Sequence, residues 1–320
     1  TTNLDVVDID GAVDMASTLQ VDGAITGSST IVGSTINGVG ISSNISNFSE
    51  SILISNDAGT GTLSSADKNT GLGFEVFDDL TSGDNNTALG HQALTKLTTG
   101  SSNTAIGIGA LDANTTANNN VAVGASSLTA NTTGTANVAV GVNSLNANTT
   151  ADNNTALGFL ALTANTTGTD NVAVGSNAAD ANTTGSNNTA LGDNALGANT
   201  TASDNTAVGA DALITNSTGA SNVAVGKDTL ELNTTASNNT AVGMAAMQAN
   251  TTGASNVAVG TFALDANTTG AENTAIGYAS LSTNTTAGEN TAVGQNALLL
   301  NTTGASNTSL GKSSLASNTT

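Results

Sequence analysis

The chain has 320 residues and a net charge of −20, because 24 Asp and Glu residues are opposed by only 4 lysines. This acidity repels nucleic-acid phosphates and anionic lipid, so we expect neither as a partner. The absence of Cys and an aromatic content of 2% exclude a disulfide framework and argue against a broad globular core. No apolar run approaches the ~20 residues that span a bilayer, so we expect no membrane insertion. The first residue is Thr1 instead of Met, so we expect a processed product or a piece of a longer protein.

Residues 1–68 form the first predicted domain, a β-rich fibre shaft or linker. Short alternating strands are separated there by Asp-Gly and Ser-rich turns, and residues 26–50 are expected to be linker or irregular fibre. Strands this thin cannot bury a core alone, which favours intertwined chains. Asp8-Ile9-Asp10-Gly11 is a fragment of a calcium loop without its closing Glu, so we favour solvated turn aspartates over a structural cation and assign no metal. The apolar strand positions are Leu4, Val6, Ile9, Leu19, Val21 and Ile25.

Residues 69–320 form the second predicted domain, an array of fifteen 17-residue repeats. Gly recurs every 17 residues from Gly90 to Gly311, and Asn keeps the same step as far as Asn307, with no insertion or deletion. A more degenerate copy starts at Asn69, and the fifteenth copy is cut short. The consensus is N-[TV]-A-[VLI]-G-x-x-[AS]-L-x-x-N-T-T-[GA]-x-x. We number its positions 1 to 17 and the copies 1 to 15.

The 17-residue period is too short for a helix-pair repeat or a propeller blade, and it suits one coil of a parallel β-solenoid. The predicted fold class is therefore all-β, with two short strands and two turns in each coil. Positions 1 to 5 alternate as a strand does, so positions 2 and 4 share one face and position 3 points to the other. We expect Leu at position 9 to fill the coil interior and the Asn-Thr-Thr run to form the return turn. Stacked coils place each position above itself, so Asn at positions 1 and 12 should form hydrogen-bonded ladders.

Position 3 is Ala in 13 of 15 copies, and the exceptions, Gly71 and Ser309, are also small. An unbroken face of small residues favours close approach of another surface, and a further copy of the same rod is the simplest partner. The alternative is that Ala simply fills a narrow coil interior. The predicted oligomer contacts are Ala88, Ala105, Ala122, Ala139, Ala156, Ala173 and Ala190.

The stretch Asn137-Val138-Ala139-Val140-Gly141 resembles the head repeats of trimeric autotransporter adhesins. This resemblance covers residues 69–320 and implies a homotrimer of left-handed parallel β-rolls, although the coil of that family is shorter. Segments such as Leu4-Asp5-Val6-Val7-Asp8-Ile9-Asp10-Gly11 and Ser51-Ile52-Leu53-Ile54 look like shaft segments of bacteriophage tail fibres. Marine phage fibres are similar in running such a segment into these repeats, and they often end in a self-cleaving chaperone domain, which is not visible in this sequence.

The resemblance to phage fibres accounts for both parts of the chain, so we predict a virion tail fibre involved in host attachment. The alternative is a bacterial cell-surface adhesin or filament subunit, which would also be extracellular. A further alternative is an ice-binding solenoid, because the Asn-Thr-Thr run supplies a regular array of hydroxyl groups. The same run matches the N-glycosylation sequon, although the return turn is sufficient to explain it.

His91 is the only histidine, and with no second His and no Cys it has no partner for catalysis or for a metal cluster. We therefore predict no enzymatic activity and no cofactor. Positions 6 and 7 vary most, and scattered aromatic side chains there can contact a host cell-surface glycan or protein receptor. The alternative is that they are partly buried corner residues. The predicted receptor contacts are His91, Phe159, Met244, Phe262 and Tyr278.

Overall fold

The structure is a computed structural model and describes residues 35–36, 39–45, 47–55 and 62–320. The expectations for the apolar positions from Leu4 to Ile25 and for the calcium-loop fragment at residues 8–11 lie outside these residues. Every regular element in the described part is a β-strand, so the all-β prediction is confirmed there.

The strands of the described residues form one sheet of 18 strands. β1 pairs antiparallel with β2 and β2 with β3, and from β3 onward each strand pairs parallel with the next one in the chain. Partners are one repeat apart, as in Val138↔Thr155, so the predicted parallel β-solenoid is confirmed. The strands are β1 (Thr35–Ile36), β2 (Val39–Ile45), β3 (Phe48–Ser55), β4 (Thr70–Leu72), β5 (Thr87–Leu89), β6 (Thr104–Ile106), β7 (Val121–Val123), β8 (Val138–Val140), β9 (Thr155–Leu157), β10 (Val172–Val174), β11 (Thr189–Leu191), β12 (Thr206–Val208), β13 (Val223–Val225), β14 (Thr240–Val242), β15 (Val257–Val259), β16 (Thr274–Ile276), β17 (Thr291–Val293) and β18 (Thr308–Leu310).

Each described coil contains one three-residue strand, at positions 2 to 4, so the prediction of two strands in each coil was wrong. The return path forms no second strand because its φ angles change sign, being positive at positions 7 and 9, as in Asn143 (56°) and Leu145 (50°). Its backbone amides still bond between coils, since Leu145 N–H donates to the carbonyl of Ala161 at 2.9 Å and Ala147 N–H to that of Thr163 at 3.0 Å. The stability of a coil therefore depends on its neighbours.

The interior of each coil is narrow and is filled by positions 1, 3, 8, 9, 12 and 15. Position 3 points inward while positions 2 and 4 point outward, which confirms the predicted alternation. Leu at position 9 also lies inside, as predicted. In coil 5 the buried residues are Asn137, Ala139, Ser144, Leu145, Asn148 and Ala151.

The buried Asn side chains form two ladders along the stack, as predicted. At position 1, Asn154 Oδ1 accepts the backbone N–H of Asn171 at 3.0 Å, and Asn154 Nδ2 donates to the carbonyl of Gly168 at 2.9 Å. At position 12, Asn165 Nδ2 donates to Asn148 Oδ1 at 3.2 Å and to the same Gly168 carbonyl at 2.9 Å. Position 1 therefore bonds to the backbone of the next coil as well as to its Asn side chain, whereas position 12 bonds between coils through side chains alone.

The β2–β3 hairpin covers the N-terminal end of the coil stack. Because β3 pairs parallel with β4, the sheet begins before residue 69, where we had predicted the domain boundary. Leu53 fills the interior at this end, and a Cβ on Gly71 would lie 2.7 Å from Leu53 Cδ1, which explains why coil 1 has Gly at position 3. Coils 1 and 2 also carry buried Leu80 and Leu97 at position 12 in place of Asn. The capped end therefore has a more apolar core than the later coils.

Candidate interaction surfaces

The alanines at position 3 lie in the interior of a single chain, so the prediction that they form oligomer contacts was wrong. Ala88 is 1% exposed and the other six are completely buried. The alternative interpretation, that Ala fills a narrow coil interior, is the one observed. A small residue is required because Leu at position 9 and the two Asn side chains already occupy the rest of the space. The residues concerned are Ala88, Ala105, Ala122, Ala139, Ala156, Ala173 and Ala190.

The outer side of the strands, formed by positions 2 and 4 of all coils, is a continuous surface that we call the strand face. Position 2 is Thr or Val and position 4 is Val, Leu or Ile in every coil. These side chains are half-buried or exposed, with Leu157 exposed by 46% and Val172 by 40%. β3 extends the surface with Ile52, which is 50% exposed. The strand face is therefore a long, mainly apolar surface in contact with water.

The strand face carries no charged residue in any coil, although the chain has a net charge of −20. All charged side chains of the repeats occur at positions 6, 7, 10, 11, 16 and 17, where Lys227 and Asp228 form an ion pair of 3.0 Å. A second copy can approach such a surface without bringing like charges together. The predicted contact at position 3 rested on the small size of its side chains and took no account of the absence of charge at positions 2 and 4.

The variable corner, formed by positions 6 and 7, holds the five side chains that we predicted as receptor contacts, namely His91, Phe159, Met244, Phe262 and Tyr278. All are exposed except Phe262, which is half-buried. His91 stacks on Phe74 with ring centroids 5.3 Å apart, and Phe262 meets Tyr278 edge to face at 6.2 Å. The structure therefore brings together Met244, Phe262 and Tyr278, which lie on the consecutive coils 11, 12 and 13. His91 in coil 2 and Phe159 in coil 6 lie away from this group and from each other.

Comparison with protein-family models, curated protein sequences and solved structures finds no significant match to this chain. Across the described residues, no cluster of three or more His, Cys, Asp or Glu is arranged to hold a metal ion. That part of the chain also contains no helical segment with the length and hydrophobicity of a membrane span. The strand face and the variable corner are therefore the features of the chain that bear on its function.

The Asn-Thr-Thr run does not offer accessible glycosylation sites in the folded solenoid. The amide nitrogen that would carry a glycan is buried at position 12, as in Asn216, where Nδ2 donates to the carbonyl of Gly219 at 2.8 Å. The hydroxyl of Thr132 at position 13 donates to the carbonyl of Thr149 in the next coil at 3.0 Å. The run therefore serves the turn, and in coils 2 to 13 position 14 is the exposed one of its two hydroxyl positions.

Position 10 places polar side chains against the backbone of the preceding coil. Thr129 Oγ1 donates to the carbonyl of Gly109, and Asn146 Nδ2 to that of Ser126, both at 2.9 Å. Asp265 occupies the equivalent position in coil 12 but, as a carboxylate, has no hydrogen to donate. Its Oδ1 is buried and has no hydrogen-bond partner, and burial raises the pKa of this carboxyl above its ordinary value, despite an opposing hydrogen bond from a serine.

Replacing Asp265 by Asn is expected to stabilise the protein at pH 7 by about 1 kcal/mol, because the amide can donate where the carboxylate cannot. The raised pKa means that the folded state binds the proton more tightly than the unfolded chain, so the destabilisation is relieved as the pH falls through the folded-state pKa. The gain should therefore shrink at pH 3. Urea denaturation at pH 7 and at pH 3 measures the gain in the free energy of unfolding. Asp193→Asn, at an exposed position, is the control for removing one negative charge. An equal gain in both variants would contradict the role of the unpaired oxygen.

Proposed function

We propose that the chain is the structural subunit of an extracellular fibre, a phage tail fibre in which copies assemble as a homotrimer and take part in host attachment. The strand face carries this proposal, because it is a long apolar surface without charge on a chain of net charge −20. An isolated solenoid leaves that surface in water, whereas assembly of several copies buries it.

The distribution of sequence variation also supports a fibre. The interior positions repeat from coil to coil, while positions 6 and 7 differ in almost every coil. This pattern is typical of a repeat scaffold that displays different side chains on a constant core. Fifteen coils at ~4.8 Å per coil give a stack of about 70 Å, long enough to separate an attachment point from a receptor.

Receptor contact is proposed for the exposed side chains of the variable corner. Aromatic residues such as Phe159 (53% exposed) and Tyr278 (51% exposed) supply rigid contact area to a partner. The partner would be a glycan or protein on the host cell surface. A bacterial cell-surface adhesin or filament subunit is the second candidate. It too would need copies to assemble and exposed side chains to contact a receptor. The complete open reading frame separates the two, since an adhesin requires a stalk and a membrane anchor.

The solution mass of the intact protein tests the proposal. We expect light scattering to give about three times the chain mass of 30.8 kDa, and sedimentation to show an elongated particle. The physical reason is that burial of the strand face is favourable only when copies associate. A monomer across the micromolar range would contradict the assembled fibre. It would instead direct attention to ice binding by the exposed Thr at position 14, which a thermal-hysteresis assay would detect.

A further inference from the structure

We propose that coil 7 is a built-in weak point, at which the stack opens and divides into two blocks that unfold separately, coils 1 to 6 and coils 8 to 15. The residue responsible is Ala179 at position 9. Twelve coils have Leu at this position, and the other two have Phe77 and Met247. Because the interior of a coil belongs to a single chain, the weak point exists whether or not copies assemble.

No other interior position of coil 7 is enlarged to compensate for the small side chain. Positions 3, 8 and 12 are Ala173, Ala178 and Asn182, which are the commonest residue types at these positions. Coils 6 and 8 have the ordinary Leu at position 9, namely Leu162 and Leu196. Ala lacks every carbon atom that Leu has beyond Cβ, so the interior between these two leucines lacks that volume.

The backbone of coil 7 keeps the ordinary coil spacing instead of closing around Ala179. The N–H of Ala179 donates to the carbonyl of Ala195 in the next coil at 2.9 Å. In coil 12, the N–H of Leu264 donates to the carbonyl of Ser280, also at 2.9 Å. Strand β10 of coil 7 pairs with β9 and β11 in the same register as the strands of the other coils. The neighbouring coils do not collapse into the space, so it remains as a cavity.

The exposure of the interior asparagines locates this cavity. Asn171 and Asn182 of coil 7 and Asn188 of coil 8 are each 1% exposed, and Ala179 is 2% exposed. The other asparagines at positions 1 and 12 of coils 1 to 14 are completely buried, at 0%. An atom inside a closed stack has exposed surface only where a space as large as a water molecule lies beside it. The empty space therefore lies at coil 7, beside these three amides.

The cavity weakens the contacts of coil 7 with both neighbours, because Leu162 and Leu196 lose packing partners across it. Each coil of a solenoid is held by the coils on either side, so the free energy of local opening is lowest where those contacts are weakest. The blocks on either side remain folded, since six and eight coils both exceed the about three stacked repeats that stability requires. Opening at coil 7 therefore precedes the unfolding of either block.

Coil 12 is a natural control for the effect of position 9. Coils 7 and 12 have identical residues at positions 1 to 5, 8 and 10 to 15. Both carry Asp at position 10, namely Asp180 and Asp265, and burial raises the pKa of each carboxyl. Among the interior positions the two coils differ at position 9 alone, with Ala179 against Leu264. A difference in local stability between them is therefore attributable to that position.

Hydrogen exchange of the intact protein, followed by mass spectrometry on peptides from coils 7 and 12, tests the weak point. We expect the backbone amide of Ala179 to exchange at least tenfold faster than that of Leu264, although both bond to the next coil at 2.9 Å. Filling the cavity by Ala179→Leu should slow exchange in coil 7 at least tenfold and raise the urea midpoint. Equal exchange of the two coils in the unaltered protein would overturn the proposal.

The double variant Ala179→Leu/Leu264→Ala moves the cavity to coil 12 without changing the composition of the chain. Away from the ends of the stack, the fastest exchange should then move from coil 7 to coil 12. If coil 7 still exchanges fastest in this variant, its opening does not arise from the missing side chain, and the proposal fails. A lower urea midpoint for Ala179→Leu alone would show that coil 7 has no room for a leucine, which would overturn it as well.

Discussion

Replacing Gly158 by Ala is expected to destabilise the middle of the solenoid by about 4 kcal/mol. Gly158 has a φ of 145°, a conformation that residues with a side chain rarely adopt. A Cβ at this position would lie 2.2 Å from the carbonyl oxygen of Gly175, which belongs to the backbone of the next coil. The two coils would have to move apart, because neither atom is at the end of a flexible side chain. Urea denaturation should show a lower midpoint, and hydrogen exchange should show lost protection centred on coils 6 and 7.

Gly109→Ala is the matched control, since it adds the same methyl group at a position with free space. Gly109 has a φ of 64°, and a Cβ there would have nothing within 4 Å. Asn143 occupies the same repeat position with a φ of 56°, so the backbone there accepts a side chain. The expected cost is about 1 kcal/mol, from the left-handed conformation alone. Equal midpoints for the two variants would show that position 5 does not require Gly for coil stacking.

The period, the parallel stacking and the asparagine ladders could be predicted because a stacked repeat places each residue above its own equivalent. The single strand per coil could not, because nothing in the identity of Leu145 signals a positive φ. Leu normally avoids that conformation, and it is held there by the interior that it fills and by the backbone bond from its amide to the carbonyl of Ala161. Local propensity is overridden by tertiary contacts at this position.

The candidate surface was predicted on the wrong side of the strand for a physical reason. A strand of alternating residues has two faces, and the small size of Ala139 fits either a narrow interior or a close contact with another chain. The width of the coil decides between these two interpretations of Ala139. That width depends on how Leu145 and the two Asn side chains pack in the coil interior. The absence of charge at positions 2 and 4, by contrast, is visible in the sequence and would have identified the outer face. The composition of each repeat position therefore carries information about the two faces of the strand that residue size alone does not.

Replacing Asn154 by Leu is expected to cost about 3 kcal/mol, although the two side chains are similar in size. Asn154 is buried, and its Oδ1 accepts the backbone N–H of Asn171 in the next coil. Leu cannot accept this bond, so a buried backbone donor would lose its partner, and the link between coils 6 and 7 would weaken. Position 1 is Asn in all fifteen copies, which agrees with a requirement for that acceptor in every coil. Urea denaturation followed by circular dichroism measures the loss.

Asn165→Leu in the same coil is the control that distinguishes the two ladders. Asn165 Nδ2 at position 12 donates to Asn148 Oδ1 and to the carbonyl of Gly168, which also accepts Asn154 Nδ2. Asn165 Oδ1 accepts Nδ2 of Asn182. The substitution therefore leaves the Gly168 carbonyl with a donor, and buried Leu80 already occupies this position in coil 1. We expect a cost of about 1 kcal/mol, because Asn148 Oδ1 loses its donor and Asn182 Nδ2 loses one of its two acceptors. If the two variants unfold at the same urea concentration, the position 1 ladder does not hold the coils together more strongly than the position 12 ladder. If they differ as expected, the backbone acceptor at position 1 explains why only that Asn is invariant along the stack.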